Sequence, residues 1–127
     1  MSLDITPLIP TGRSLIQSHG NNRFKITGDL HQGSVIVFID SVENWQAVTI
    51  EDITIDSLLA VTKRSSEVDI LLVGCGETFT LPPKDLRLVL KQHGIVLEWM
   101  DSRAACRTFN VLLAEERPAA AAILAIE

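Results

Sequence analysis

A chain of 127 residues, 46% hydrophobic and 21% charged, has the size and make-up of one globular domain with a real core, which excludes a disordered chain. A net charge of -5, with no basic stripe and 5% aromatic residues, argues against nucleic-acid binding and against electrostatic attachment to an anionic membrane. No apolar run reaches the roughly 20 residues that a membrane-spanning helix needs, and residues 1–7 lack the features of a signal or transit peptide, so a cytoplasmic location is expected.

Taken in order, residues 1–13, with Pro7, Pro10 and Gly12, read as an extended lead-in to a single α/β domain. Ser14-Leu15-Ile16-Gln17 is a strand candidate. His19-Gly20-Asn21-Asn22 is a turn, since Gly and Asn tolerate positive φ. Arg23-Phe24-Lys25-Ile26-Thr27 alternates polar and apolar, the period of a half-buried strand, so the two strands form a hairpin. A second turn is expected over residues 28–33. Residues 34–39 are apolar and β-branched and predict a strand covered on both faces. Trp45-Gln46-Ala47-Val48 predicts a short returning strand. Asp56 is placed to cap a two-turn helix carrying Leu58, Leu59 and Val61.

The remaining half carries a βαβαβ pattern. Ile70 to Val73 predict a buried strand that ends on Gly74-Cys75-Gly76. Pro82-Pro83 start a helix whose buried stripe is Leu86, Val89 and Leu90, with Gly94 just past its end. Ile95 to Trp99 follow as a strand. Asp101 or Ser102 caps the last helix, whose apolar face holds Ala105, Cys106, Phe109, Leu112 and Leu113. Pro118 stops that helix. Residues 119–126 favour helix by propensity, but the break at Pro118 and the alternation of elements predict a strand. The pattern is therefore that of an α/β domain with an N-terminal hairpin and a C-terminal βαβαβ unit.

Three groups of residues invite chemistry. Gly74-Cys75-Gly76 ends a strand, where open α/β sheets form ligand crevices and free amides can cradle an anion; a tight turn that needs small residues is the simpler reading. The loop lacks the third glycine of a dinucleotide fingerprint and any Walker lysine. Arg103, Arg107 and Asn110 follow i, i+4, i+7 spacing along one helical stripe. Arg103 lies in a first turn, where a cation calls for an anion beside it: Asp101, Glu98, a bound anion or a partner's carboxylate. Arg107 suits either an exposed contact or a pairing with Glu115 or Glu116. Cys75 is the third group, as a nucleophile or redox-sensitive thiol, but His19, His31 and His93 come with no orienting partner, and a buried or turn cysteine is the simpler reading. Cys75 and Cys106 form no CxxC pair and are expected as free thiols, and no ligand spacing suggests a metal.

A resemblance joins these features. Leu71-Leu72-Val73-Gly74-Cys75-Gly76, His93 to Met100, Ala105-Cys106-Arg107-Thr108-Phe109-Asn110 and Glu115-Glu116-Arg117 resemble a family of uncharacterised proteins. That family includes the third assembly factor of mitochondrial respiratory complex I and the adipogenesis-associated domain protein. Phe24 to Gly28, Gly33 to Val37 and Trp45 extend the resemblance over nearly the whole chain. Cys75 stands where the family usually has threonine, Phe109 for tyrosine and Glu116 for glycine. The resemblance implies a three-layer α/β fold with a central mixed sheet, no established catalysis and a protein partner; no cofactor is expected, and self-association is left open. By position it implies Gly74, Cys75, Gly76, Met100, Arg107, Thr108, Asn110 and Arg117, beside Arg103, as a shared surface or crevice. The expected function is that of a non-enzymatic accessory protein acting by protein contact, in assembly of a respiratory or other membrane-associated complex. The alternative is a small-molecule or anion-binding protein, an enzyme included, using the glycine loop and Arg107.

Overall fold

The computed structural model describes residues 12–127, so the expected lead-in lies outside the described residues apart from Gly12 and Arg13. Three strands, β1 (Ile16–Gly20), β2 (Arg23–Ile26) and β3 (Asp29–Gln32), form an antiparallel meander. Both of its turns put two residues at positive φ: Asn21 at 52° and Asn22 at 59°, then Thr27 at 47° and Gly28 at 88°. Turns of this hand match the twist of the strands they join. The hairpin is thus one strand longer than expected, and the stretch expected as a turn over residues 28–33 holds β3. No residue of β3 is fully buried, so it lacks the apolar alternation that marks a strand.

The second sheet has five strands in the order β5-β4-β8-β6-β7. They are β4 (Val35–Val37), β5 (Val42–Asn44), β6 (Ile70–Gly74), β7 (Val96–Met100) and β8 (Ala119–Ile123). β6 runs parallel to β7 and β8, while β4 runs antiparallel to β5 and β8. Among the described residues there are three α-helices, α1 (Leu59–Thr62), α2 (Leu86–Gln92) and α3 (Ser102–Ala114), besides short 3-10 turns. The expected β6-α2-β7-α3-β8 unit and mixed sheet are both present. Among the described residues, no helix is long and apolar enough to cross a membrane.

Alternation along the strands feeds two cores. Leu71, Val73, Leu97, Ala120 and Ala122 face α1, the turn that leads into it and α2, through Val61, Leu58, Leu86 and Leu90. Leu72, Ala121 and Ile123 face α3 and the small sheet, through Ala105, Cys106, Phe109, Leu113, Phe24 and Ile26. These are the three layers. β8 occupies the middle of the sheet with all five residues buried, so tertiary pairing overrides the helix propensity of its alanines.

Three local expectations are corrected. The returning strand is β5, not residues 45–48. A tight turn, in which the Phe38 amide donates to the Ser41 carbonyl at 2.8 Å, brings the chain back earlier. Trp45 and Ala47 still point inward, which produced the alternation. Asp56 lies inside a 3-10 turn (Asp56–Leu58) leading into the single-turn α1, not at a cap, and Leu59 is exposed. α2 starts at Leu86 rather than at the prolines, because Asp85 at φ 68° interrupts the helical backbone before it.

Candidate functional site

Gly74, at the carboxyl end of β6, is dictated by packing. A Cβ there would lie 2.8 Å from Ser102 Cα and 2.9 Å from Ile123 Cγ2. The missing side chain lets the first turn of α3 rest on the sheet. Asp101 caps that helix, its carboxylate accepting from the Ala104 amide at 2.9 Å. Ser102 is fully buried and joins three segments. Its hydroxyl accepts from the Gly76 amide at 3.0 Å and donates to the Leu124 carbonyl at 2.7 Å. The Leu124 amide donates to the Gly74 carbonyl at 3.0 Å and the Cys75 amide to the Met100 carbonyl at 2.8 Å.

These bonds build the floor of a cleft of about 330 Å³ outside the carboxyl ends of β6 and β8, where open α/β sheets place ligand crevices. Residues 75–78 form one wall and Val48 to Ile50 another, and Leu124 to Glu127 close it. The amides of Cys75 and Gly76 are both committed to hydrogen bonds, so they are not open to an anion. Gly76 also needs its freedom, with φ at 112°. Cys75 is buried, and its thiol donates to the Thr78 carbonyl at 3.6 Å.

The structure divides the residues singled out from the sequence. Cys75 and Gly76 line the cleft, while the Gly74 and Met100 carbonyls do not line it but accept hydrogen bonds from its lining residues Leu124 and Cys75. Arg103 reaches Glu77 at 2.8 Å, so the anion beside this first-turn cation is Glu77 rather than Asp101 or Glu98. Arg107 is exposed, does not line the cleft and forms no ion pair among the described residues, and Glu115 has Arg117 as its neighbour at 4.0 Å. Thr108 is half-buried on α3, Arg117 is exposed beyond its end, and Asn110 bonds the backbone of Ile16. Cys75 and Cys106 are free thiols, and burial pushes Cys106 up to about 12 despite the neighbouring Arg107 cation. Among the described residues, no three His, Cys, Asp or Glu side chains gather as a metal site.

Two features had little signal in the sequence. Ser102 reads only as a cap candidate until Gly74 brings it against the sheet. Arg64 sits at the opposite end of the sheet, bonding Asp40 at 3.1 Å and Glu67 at 3.0 Å and stacking 4.0 Å from the centre of the Phe38 ring. Arg64 holds the Asp40 carboxyl below its usual range. Its i, i+3 spacing from Glu67 is visible in sequence; the approach of the Asp40 loop is not.

A model for a protein family of unknown function (DUF498/DUF598) matches residues 16–124. An uncharacterised protein of Rhodobacter capsulatus is 32% identical over 109 residues, covering 86% of this chain and 82% of that protein. NADH dehydrogenase (ubiquinone) 1 alpha subcomplex assembly factor 3 of Xenopus tropicalis is 30% identical over 109 residues, or 86% of this chain; the matched part is 60% of that relative's length. The crystal structure of an outer membrane protein from Bartonella henselae superposes with a TM-score of 0.85 at 33% identity, covering 94% of this chain and 100% of that one.

Proposed function

The chain belongs to the family of proteins of unknown function DUF498/DUF598, and from that premise we propose that it is a cytoplasmic accessory protein in assembly of an NADH dehydrogenase-type respiratory complex, working by protein–protein contact. The observation that carries this reading is the 30% identity over 86% of the chain to a protein named for assembly of that complex. The matched part is 60% of that relative, so the proposed role is that of the shared domain. Support for contact comes from the exposed Phe79 and Leu81, which stand beside the cleft.

Deleting the gene and resolving the membrane complexes on native gels tests the reading. Expected is a loss of mature NADH dehydrogenase with accumulation of subassemblies, restored by the intact gene. Tagged protein should recover subunits of that complex from the soluble fraction. Unchanged assembly in the deletion strain overturns the proposal.

A further inference from the structure

The segment between Gly76 and α2 is pinned by its carbonyls and open at its amides. Trp99 Nε1 donates to the Thr80 carbonyl at 2.6 Å, and the Cys75 thiol reaches the Thr78 carbonyl at 3.6 Å. Arg103 holds the Glu77 carboxylate at 2.8 Å. Among the described residues, no backbone N–H from Glu77 to Leu81 has a hydrogen-bond partner. Leu81 and Pro82 each precede a proline, which biases them toward extended backbone.

The side chains follow a matching order. Thr78 and Thr80 line the cleft, while Phe79 is 57% and Leu81 79% exposed. Val48, on the facing wall, is 75% exposed. Val48 thus lines the cleft, and Phe79 and Leu81 sit on the pinned segment that carries its lining residues Thr78 and Thr80. The cleft is lined by Glu127, by Glu77, which Arg103 already pairs from outside it, and by no Lys or Arg of its own. Behind the Val48–Thr49 wall lies the Asp52 carboxylate, which accepts from both of those amides and is held below its usual range by them.

We infer that residues 79–81 are a docking strand: an extended segment of a partner protein lies alongside, accepts hydrogen bonds from the open amides of Phe79 and Leu81, packs apolar side chains on Phe79, Leu81 and Val48, and sets a Lys or Arg beside Glu127 in the cleft. Strand addition draws affinity from main-chain bonds and specificity from alternate side chains. Here the amides offer the first, and the Phe79/Leu81 alternation and the cleft's charge offer the second. The inference rests on the reading that the protein works by protein contact, and it adds the place and the partner's chemistry.

Two short blocked peptides serve as probes, one alternating lysine and valine, the other glutamate and valine. Each is titrated into the isotopically labelled full chain while amide shifts and hydrogen exchange are followed. The lysine peptide should saturably shift the amides of residues 77–81, protect those of Phe79 and Leu81, and weaken with salt. Phe79→Ser or Leu81→Ser should lower its affinity about tenfold, the equivalent of about 1.4 kcal/mol. Both side chains are exposed, so the variants keep the fold, which an unchanged melting temperature verifies. Equal binding of the glutamate peptide, shifts that avoid residues 77–81, variants that bind like the parent, or no binding each overturn the inference. In cells, subunits captured equally by parent and Phe79→Ser sink the docking strand and leave the assembly role standing. Normal assembly in the deletion strain sinks the role, and the peptide titration then decides the docking strand alone.

Discussion

The Asn110 side-chain amide and the Ile16 backbone exchange two hydrogen bonds, 2.8 Å from Nδ2 to the Ile16 carbonyl and 3.0 Å from the Ile16 amide to Oδ1, across 94 positions of sequence. β1 carries a register irregularity between Ile16 and Ser18, and Asn110 stands there as an extra rung, joining α3 to the small sheet. Asn110→Leu should lower stability by about 2 kcal/mol, because two part-buried backbone groups lose their partners. Asn110→Asp keeps the acceptor but faces a carboxylate oxygen toward a carbonyl. Its deficit in urea unfolding should shrink as the pH falls and that carboxylate is protonated.

Ser102→Ala strips partners from the Gly76 amide and the Leu124 carbonyl together. A loss of about 2–4 kcal/mol is expected, with hydrogen exchange rising first at Gly76. Gly74→Ala should cost about 3 kcal/mol for a different reason, since its methyl group meets backbone at Ser102. Calorimetric melting of both variants separates these losses from a neutral surface change.

Glu116 is the left-handed residue that ends α3, at φ 56°. Its amide donates to Leu113 at 3.0 Å and the next amide, Arg117, to Leu112 at 2.9 Å, the paired bonds of a helix-ending motif that favours glycine. Glu116→Gly should therefore stabilise by about 1 kcal/mol, read as a higher urea midpoint. A lower midpoint contradicts the assignment.

Cys106 makes stability fall at alkaline pH. Its thiol rises from an ordinary 9.0 to about 12 through burial, so above 9 the unfolded chain releases a proton that the folded chain retains. The thiol's contribution is full below pH 9 and lost as pH rises toward 12, with a slope of up to about 1.4 kcal/mol per pH unit. Urea midpoints should decline less steeply above pH 9 for Cys106→Ala than for the parent. An equal decline contradicts the assignment.

The layers were legible because they depend on periodicity and punctuation: the βαβαβ unit, the Asn21-Asn22 turn and the break at Pro118 each have a local chemical cause. β3 was not, since an exposed four-residue edge strand shows no buried alternation. At the cleft, Gly74-Cys75-Gly76 announced a sharp strand end. The groups that meet it come from far along the chain: Ser102 bonds Gly76 from 26 positions away, and Leu124 bonds Ser102 from 22 positions beyond that. Helical spacing put Arg103, Arg107 and Asn110 on one stripe, yet one flank of α3 meets the small sheet while Arg107 is exposed. Spacing reports which residues share a helix surface, and only packing decides what that surface meets.

The Trp99–Thr80 bond makes the molecule its own optical probe. The chain has two tryptophans and no tyrosine, and the other indole, Trp45, is tied to the Ser57 carbonyl at 2.9 Å. Replacing Trp45 with phenylalanine leaves one emitter, whose ring nitrogen is fastened to the segment carrying Phe79 and Leu81. Motion or occupation of that segment changes the polarity around a single indole, so its emission reports the event in unlabelled protein.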